Sequence, residues 1–400
     1  MQHGSFQWMK SLNKSIILNK IRLSQPISRA QIAKDTNLTP PTVSTIVKEL
    51  LVEGIVLESR LGTSQGGRKP TMLVINHNNF YIIGIDAGPK NITVVLADLS
   101  GEIADRASYE IDSTITATQF IQLLKRSAEN LINMHSKQTG KIIGIGVAMH
   151  GVIEIETGVA IIAPNLDLHN IPIKQELENE FNLTVKVEND ARAMALGEAW
   201  FGDSKNAKSL LALNIGQGVG AGFIIDSKLY HGAFDLAGEV GHMTIDIHGK
   251  KCECGNNGCL QTVASGPAIA SRAMASIQNS SILFGLINGN PAKTNGELVY
   301  QAALAGDKKC VTILQEAGVS IGVGLTNLIH IVNPEKIVIG GGVSKAEKYL
   351  LPSIKKAIQT RALTERAKQT EISISRLGDD ATVLGAIALL LVEMFESSQL

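Results

Sequence analysis

The first fifty positions place apolar residues at the three- and four-residue spacing of amphipathic helices. The first predicted helix has an apolar stripe of four residues, Ile16, Ile17, Ile21 and Leu23. A short second helix is predicted over Arg29–Thr36, because Ser28 is a favoured N-cap residue. A third begins at Pro40 and Pro41, which fit the first turn of a helix, and ends at Gly54. This order of short helices predicts a helix-turn-helix.

The third helix has one buried and one exposed face. Its predicted buried stripe is apolar and consists of Val43, Ile46, Val47, Leu50 and Leu51. Its other face consists of small hydroxyl residues and a lysine, Thr42, Ser44, Thr45 and Lys48. Side chains of this kind suit a helix that lies in a major groove and bonds to phosphates and base edges. We therefore expect these four residues to contact DNA.

Two strand-like runs follow the third helix, at 55–60 and Thr71–Ile75, and they enclose a glycine-rich tip. The tip contains Arg68 and Lys69, and a flexible basic tip is typical of a wing whose arginine enters the minor groove. Together with Arg29, these residues complete the predicted DNA-binding set. The alternative is a solvated hairpin on a small helical domain that binds protein, with which the charge distribution agrees less well.

The net charge of zero hides an uneven distribution of charge. Up to Phe80 there are ten Lys and Arg against four Asp and Glu, so this part is +6 and the remainder is −6. A basic head on an acidic body indicates a polyanion that binds the head alone. The 44% of hydrophobic and 18% of charged residues are typical of a folded globular protein, and 400 residues indicate two or three domains.

No segment predicts export or insertion into a membrane. The first fifteen residues lack an apolar run behind a basic start, and the apolar segment 386–394 is too short to cross a bilayer. We therefore expect a cytoplasmic protein without a membrane partner.

From position 81 the pattern changes to apolar strands with glycine-rich turns. Runs at 81–86 and 92–99 predict one hairpin, and Leu210–Ile215 with 222–225 predicts a second around the glycines of 216–222. The remaining elements are a helix and two buried strands, at 117–134, 142–147 and 336–339. Two similar hairpins in two halves resemble the duplicated actin-like ATPase fold of sugar kinases. We predict a winged helix-turn-helix followed by a two-lobed α/β body of this RNase H-like fold.

A histidine and three cysteines lie close together in the sequence. Glycines at 255 and 258 let the short cysteine loop wrap an ion. A single cysteine here would more often be a buried inert thiol, but one imidazole and three thiolates form the usual tetrahedral site of structural zinc. The sequence therefore predicts one structural Zn²⁺ per chain, with the ligands His242, Cys252, Cys254 and Cys259.

Four motifs of the body carry a family resemblance. They are Glu188-Asn189-Asp190-Ala191, the glycines of 216–222, Glu239-Val240-Gly241-His242 and the cysteine segment 252–259. Together they resemble the ROK family (repressors, open reading frames, kinases), and with the head they resemble its repressor branch, which includes xylose and N-acetylglucosamine repressors. The resemblance covers nearly the whole chain.

The resemblance implies a sugar-binding cleft between the two lobes. Its implied sugar contacts are Asn165, Asn189, Asp190, Glu239, His242 and Gln261. In the family's kinases the residue at Asp190 is the base that activates the phosphorylated hydroxyl. Carboxylates and carboxamides supply the acceptors and donors that neighbouring hydroxyls need. Taken alone, Asp190 could equally be a cap of the helix that follows it.

The phosphate-binding positions depart from those of an active kinase of the family. The first hairpin continues Asp86-Ala87-Gly88 with Pro89 and Lys90 instead of glycine and threonine, and proline removes an amide donor. At three further positions the kinases of the family have a threonine, a glycine and a glutamate. This sequence has Gln217, Ala221 and Gln261 there, respectively. The segment 340–344 still fits the family's third glycine motif, although a tight turn explains it equally well. These departures predict a binding protein rather than an enzyme.

We therefore predict a repressor of sugar-utilisation genes that a sugar releases from operator DNA. Its predicted parts are a DNA-binding head at 1–78, lobes at 79–195 and 196–380, and a C-terminal helix at 381–400 that packs back on the first lobe. We expect a homodimer or homotetramer. The alternatives are an ATP-dependent sugar kinase with a regulatory DNA-binding head, and a regulator that responds to a partner protein. Xylose, glucose and N-acetylglucosamine are all compatible ligands.

Overall fold

The computed structural model describes residues 3–61, 69–135, 141–205, 207–278 and 281–395. In these ranges the chain forms a small head and two lobes, and each lobe is built on a five-stranded sheet. None of the helices within the described ranges is long and apolar enough to cross a membrane.

The head consists of three helices and a small three-stranded sheet. Its elements are α1 (His3–Ser24), β1 (Ile27–Ser28), α2 (Arg29–Thr36), α3 (Pro40–Val52), β2 (Val56–Leu61) and β3 (Thr71–Ile75). The Ser28 side chain accepts a hydrogen bond from the Gln31 N–H and caps α2, and Thr39 caps α3 in the same way. β3 lies between β1 and β2 and pairs antiparallel with both. The predicted winged helix-turn-helix is confirmed.

Three residues of the predicted apolar stripes are not fully buried, namely Ile16, Leu23 and Leu51. Leu23 of α1 is 61% exposed, whereas Leu18, which was not predicted, is buried. Two positions along a helix correspond to a rotation of about 200°, so Leu23 points away from the face that contains Ile21. In α3, Leu51 is only half-buried while the other four predicted residues are buried.

Both lobes combine a sheet with flanking helices. The first contains β4 (Phe80–Ala87), β5 (Asn91–Asp98), β6 (Ile103–Glu110), α4 (Ala117–His135), β7 (Lys141–Met149), β8 (Val152–Glu154), β9 (Val159–Ala163), β10 (Leu168–Ile171), α5 (Ile173–Phe181), β11 (Thr184–Asn189) and α6 (Asp190–Trp200). The second contains β12 (Leu210–Ile215), β13 (Val219–Ile225), β14 (Lys228–Tyr230), α7 (Gln261–Ala264), α8 (Gly266–Ala275), α9 (Ile282–Leu286), α10 (Gly296–Leu304), α11 (Lys308–Val332), β15 (Lys336–Gly340), α12 (Glu347–Arg361), α13 (Glu365–Lys368), β16 (Glu371–Ile374) and α14 (Ala381–Phe395).

The two large sheets have the same topology. The first has the order β6-β5-β4-β7-β11 and the second β14-β13-β12-β15-β16. In each, three antiparallel strands are followed by two that run parallel to the first of them. Numbered along the chain, both orders read 3-2-1-4-5, so the predicted duplicated actin-like fold is confirmed. The sequence prediction omitted β6, the small sheet of β8, β9 and β10, and the strands β11, β14 and β16. β6 alternates apolar with polar residues, and most of the others are only three to five residues long.

α14 packs against β4 and β7 of the first sheet and against α6. Glycines make this contact close enough for backbones to meet. A Cβ added to Gly146 of β7 would lie 1.8 Å from the carbonyl oxygen of Ala386, and one added to Gly385 of α14 would lie 1.8 Å from that of Ala193 in α6. No larger side chain fits without a backbone shift.

The head is joined to this packing unit by a continuous apolar core. Buried residues of the head, of the first sheet and of α14 form one cluster, which includes Ile17, Leu50, Ile82, Val95 and Leu391. The guanidinium of Arg22 in α1 lies 4.0 Å from the ring centre of Trp200 at the end of α6 and 5.8 Å from that of Phe395 in α14. The head therefore contacts the ends of both helices.

The four predicted domain ranges stay predictions. The predicted boundary between residues 195 and 196 falls inside α6. The backbone of α6 continues directly from β11 of the first lobe, and the first residues of this helix face the second lobe. The bound at 78 falls in the one-turn helix His77–Asn79 that precedes β4.

Replacing Gly385 by alanine tests the close helix contact. Glycine to alanine in a helix normally stabilises by about 0.5–1 kcal/mol. Gly385→Ala is expected to destabilise by about 2–3 kcal/mol, because the new methyl group meets the backbone of α6. The matched control is Gly285→Ala in α9, whose added Cβ has no neighbour within 4 Å. Denaturant unfolding of both variants gives the sign, and a Gly385→Ala protein as stable as the control would contradict the close packing.

Candidate ligand cleft, metal centre and nucleic-acid interface

Three parallel strands end level with one another at one edge of the first sheet. The register pairs Met149 of β7 with Ala87 of β4 and with Asn189 of β11. The polar side chains at this edge are Asp86, His150 and Asp190. Ligands of open α/β sheets bind at the carboxyl ends of the strands, so this edge is the candidate floor of a cleft.

Asp190 begins α6 and reaches toward the second lobe. Its Oδ1 accepts a 2.8 Å hydrogen bond from the next backbone N–H, and its Oδ2 lies 3.5 Å from Asn214 Nδ2 of β12. Burial raises the pKa of Asp190, while the nearby His150 and Arg192 act in the opposite direction. Burial and the negative charge of Asp190 also raise the pKa of Asp86, to about 7. The edge therefore holds two half-buried carboxyl groups whose ionised forms are disfavoured.

The segment 238–242 brings a second carboxylate to the cleft. A Cβ added to Gly238 would lie 1.9 Å from a backbone oxygen of β13, so the segment is pressed against that strand. Glu239 remains exposed at its surface. Partial burial raises the pKa of Glu239, His242 lowers it and the negative charge of Asp190 raises it. The structure thus brings Glu239, His242 and Asp190 into one electrostatic environment, and their role as sugar contacts stays a prediction.

The other three predicted sugar contacts have different surroundings. The Asn189 side chain caps α6 through its Oδ1, which accepts two backbone N–H groups at 3.0 and 3.1 Å, and its Nδ2 donates to a backbone carbonyl at 2.9 Å. Gln261 Nε2 donates to Cys252 Sγ at 3.4 Å. Asn165 is exposed in the one-turn helix Pro164–Leu166, and no hydrogen bond joins its side chain to another described residue.

A buried ionic network beside the cleft was not predicted from the sequence. Glu188 accepts from Arg192 Nε at 2.6 Å and pairs with His231 Nε2 at 2.7 Å. Arg192 Nη1 donates to the Asp235 carbonyl at 2.6 Å, and the Asp235 carboxylate accepts the Ile155 N–H at 3.1 Å. Burial opposes ionisation of Glu188, but the bonds from His231 and Arg192 leave its pKa below the usual value. The network joins the two lobes.

The predicted metal ligands form one cluster. The ligand atoms of His242, Cys252, Cys254 and Cys259 all lie within 4.8 Å of one another. His242 Nδ1 is 3.7 Å from Cys252 Sγ, and the Cys254 and Cys259 sulfurs are 3.7 Å apart. The arrangement can hold a metal ion between one imidazole and three thiolates.

Backbone geometry shapes this cysteine loop. Gly255 and Gly258 have positive φ values of 95° and 67°, and a Cβ on Gly258 would lie 1.5 Å from a backbone oxygen, that of Asp246. The backbone N–H of Asn256 donates to Cys254 and lowers the pKa of that thiol to about 7. A readily ionised thiol is what a metal ligand needs.

The exposed face of α3 has the polar residues that the sequence predicted. Ser44, Thr45 and Lys48 are exposed, while Thr42 is half-buried with its hydroxyl 2.8 Å from that of Thr39. Lys69 is exposed at the start of β3, and Arg68 lies outside the described residues. Arg29 donates to Glu58 of β2 at 2.9 Å, so its guanidinium is partly engaged by the wing.

Ion pairs within the head define which charges remain for a partner. Its four carboxylates pair at 2.7–2.9 Å with four of its cations, as Glu49–Lys10, Glu53–Lys14, Asp35–Lys20 and Glu58–Arg29. Lys34, Lys48 and Lys69 form no ion pair with the residues that the structure describes. The excess positive charge is therefore at positions outside these four pairs.

A cavity of about 570 Å³ lies where the glycine loops of the two lobes face each other. Its lining includes Pro89, Lys90, Gln217, Tyr300 and Gly342. Three of these, Pro89, Lys90 and Gln217, are among the positions that the family resemblance predicts to differ from those of an active kinase.

Comparison with known proteins assigns the family. Residues 82–393 match the model of the ROK family, and the full chain resembles repressors within it. The chain belongs to the ROK family. It is 35% identical over 396 residues to a xylose repressor from Caldicellulosiruptor bescii, which covers 98% of both chains. It is 30% identical over 389 residues to the N-acetylglucosamine repressor of Escherichia coli, covering 97% of this chain and 94% of that one. The predicted resemblance is confirmed.

Two solved structures of the ROK family are similar to this one. A ROK family transcriptional regulator, described as a homologue of the Escherichia coli MLC protein, covers 97% of this chain and 100% of its own at 30% identity, with a TM-score of 0.85. A ROK family glucokinase from Streptomyces griseus, solved with glucose and AMPPNP, covers 77% of this chain and 98% of its own at 29% identity, with a TM-score of 0.70. The match with the regulator thus extends over nearly the whole chain.

Proposed function

We propose that this ROK family chain is a sugar-responsive repressor of carbohydrate-utilisation genes. The head binds an operator, and a sugar bound between the lobes releases it. The observation that supports this most directly is the combination, in one molecule, of a basic winged helix-turn-helix and an acceptor-lined cleft connected by one helix. Similarity over the full length, head included, to xylose and N-acetylglucosamine repressors supports the same function. Such a protein acts on the chromosome, so the proposal requires the cytoplasm.

The proposed sugar contacts are centred on Asp190 and Glu239. Both carboxylates lie in surroundings that raise their pKa, and each accepts hydrogen bonds that sugar hydroxyls can donate. We propose His242 as a third contact and Asn165 as a contact from the first lobe. We also propose Asn189 and Gln261 as sugar contacts. The side-chain amide of each already donates one hydrogen bond to the protein, and its second amide hydrogen can bond to a sugar hydroxyl.

Helix α6 connects the cleft to the head. It starts at Asp190 and ends at Trp200, a span of 11 residues or about 16 Å. Trp200 lies under the guanidinium of Arg22 in α1 of the head. A sugar that favours one placement of α6 would therefore favour one placement of the head, and in a homodimer or homotetramer it would change the spacing of two recognition helices.

The proposed DNA contacts are Thr42, Ser44, Thr45 and Lys48 of α3, with Arg29, Arg68 and Lys69. Lys48→Ala is expected to weaken binding to any duplex about five- to tenfold and to reduce the salt slope by about 1, because it removes one phosphate contact. The matched control is Lys10→Ala, which removes a charge that Glu49 already compensates. Fluorescence anisotropy with duplex DNA at several salt concentrations measures both. Equal effects of the two variants would contradict the assigned interface.

We propose that the metal of the cysteine cluster is one structural Zn²⁺ per chain. In a tetrahedral site with Zn–S bonds of about 2.3 Å the sulfurs are about 3.8 Å apart, which agrees with the 3.7 Å between Cys254 and Cys259. His242 belongs both to this cluster and to the segment that holds Glu239. Zinc would thus fix one wall of the sugar cleft to the cysteine loop.

Cys259→Ala is expected to lose the zinc and to lower the unfolding midpoint by at least about 5 °C, because the loop is left without its crosslink. Cys310→Ala is the matched control, since Cys310 is a buried cysteine in α11 outside the cluster. Elemental analysis should find one zinc per chain in the control and close to none in Cys259→Ala. Purified wild-type protein without metal would contradict the assignment.

A second candidate function is that of an ATP-dependent sugar kinase. The cavity at the glycine loops and the similarity to a glucokinase favour it. Against it, Pro89 lacks an amide donor, and Lys90 and Gln217 stand where hydroxyl residues are expected. We therefore propose that the chain is not an enzyme. A coupled assay over hexoses and pentoses decides, since a turnover of about 1–100 per second, as in kinases, would contradict this.

Loss of the cleft carboxylates should produce a super-repressor. Asp190→Ala and Glu239→Ala are expected to keep the operator affinity of the wild type but to lose release by sugar, because a ligand shifts a protein only through its differential affinity for two states. Each lost bond should weaken sugar binding by about 1–3 kcal/mol. Gel-shift titrations of both variants, with and without sugar, measure the response.

The matched control for these variants is Glu129→Ala, an exposed carboxylate on α4. It should respond to sugar as the wild type does. Release of both cleft variants at wild-type sugar concentrations would refute the sensor assignment, and folded variants that bind neither DNA nor sugar would indicate a structural role instead.

A further inference from the structure

His150 is a buried side chain at the floor of the cleft that neither the sequence motifs nor the proposed contacts include. It follows directly on β7, between the ends of β4 and β11, and is 4% exposed. Its Nδ1 lies 3.1 Å from the carbonyl oxygen of Ala87. Its Nε2 is buried, and no donor or acceptor of the described residues lies within hydrogen-bond distance of it.

The bond to Ala87 fixes the chemistry of the other ring nitrogen. A carbonyl oxygen only accepts, so Nδ1 must carry the hydrogen of this bond. In the neutral imidazole Nε2 then has a lone pair and acts as an acceptor. A buried acceptor without a donor costs stability, and native proteins satisfy nearly all such groups with protein, water or ligand.

The position of this acceptor is next to Asp190. The strand register puts His150 level with the Asn189-Asp190 junction. Within the described ranges, the one hydrogen-bond contact of Asp190 Oδ2 is that with Asn214 at 3.5 Å, so this oxygen too can accept a further bond. Arg192 Nε is paired with Glu188, and its Nη2 is buried without a hydrogen-bond partner among the described residues. His150 Nε2 and Asp190 Oδ2 are therefore two neighbouring acceptors at the sheet edge that forms the candidate floor of the cleft.

We propose that His150 Nε2 accepts a hydrogen bond from a hydroxyl of the cleft ligand, beside the hydroxyl that Asp190 binds. This inference rests on the proposed function and specifies its ligand class: a polyol with two adjacent unmodified hydroxyls at this end. Two acceptors require two donors, and vicinal hydroxyls supply them. A phosphate group at the same place offers acceptors only and adds negative charge next to Asp190.

Two substitutions separate the two ring nitrogens. In His150→Asn, the side-chain amide lies near the position of Nδ1 and can still donate to the Ala87 carbonyl oxygen, but no atom occupies the position of Nε2. In His150→Gln, the side-chain amide reaches the position of Nε2, but the hydrogen bond from Nδ1 to Ala87 is lost. Calorimetry on the full chain uses D-xylose, D-glucose, N-acetylglucosamine and D-glucose 6-phosphate as probes. We expect His150→Asn to bind the preferred free sugar about tenfold more weakly than the wild type, with unchanged operator affinity, and His150→Gln to lie closer to the wild type.

Nuclear magnetic resonance of ¹⁵N-histidine-labelled wild-type protein measures the His150 Nε2 signal with and without sugar. Because this measurement uses the wild-type protein, it does not depend on the folding of both variants. The Nε2 signal that is missing from the His150→Gln spectrum should shift when the preferred free sugar is added. If either variant fails to fold, a single remaining folded variant assigns the signal.

The outcomes are distinct. Wild-type sugar affinity in folded His150→Asn, or an Nε2 signal that sugar does not move, overturns the His150 contact and leaves the proposed function intact. Tighter binding of D-glucose 6-phosphate than of every free sugar overturns the ligand class. A wild-type protein that binds none of the four probes while its head still binds DNA overturns the proposed sugar response, and this inference with it.

Discussion

The close contact of α6 with α14 is the constraint on which the rest of the molecule depends. Gly385 and Gly146 let α14 lie against the backbones of α6 and β7, so these elements have little freedom to slide independently. α6 begins at the cleft, α14 returns from the second lobe to the first sheet, and the far ends of both meet Arg22 of the head. In the proposed repressor, a displacement at Asp190 would move the packed backbones of α6 and α14 together and reach the head through the side chains that contact Arg22.

Desolvation gives the cleft its chemical character. Burial disfavours the ionised forms of Asp86 and Asp190, the charge of Asp190 adds to this effect at Asp86, and Nε of the nearby Arg192 is bonded to Glu188. Buried acceptors bind neutral donors better than anions, because an anion would add repulsion to the desolvation already present. This property is set by the whole edge of the sheet and does not belong to a single motif.

Sequence reasoning succeeded where the signal was local. Capping predicted α2 at Arg29–Thr36, a continuous run of apolar residues predicted β12 at Leu210–Ile215, and cysteine spacing identified a cluster whose ligand atoms lie within 4.8 Å of one another. Sequence reasoning failed where the outcome depends on tertiary contacts. The stripe that included Leu23 ignored helix rotation, and His150 gives no signal in the sequence because only the meeting of β4, β7 and β11 makes its Nε2 a cleft atom. The bonds of Asn189 and Gln261 to the protein are equally invisible in a motif.

The departures at the phosphate loops follow from what a sensor requires. A repressor responds to ligand concentration only while the bound ligand persists and is released unchanged, since its populations are set by differential affinity at equilibrium. Phosphoryl transfer would convert each bound sugar into a product that the acidic edge at Asp190 repels, and the ligand-bound state would last only as long as one turnover. Pro89 and Gln217 line the cavity between the glycine loops, whereas Asp190 and Glu239 are not among its lining residues. For the repressor that we propose, changes at the glycine loops would therefore remove phosphoryl transfer and leave the binding of a sugar at the carboxylates unaffected.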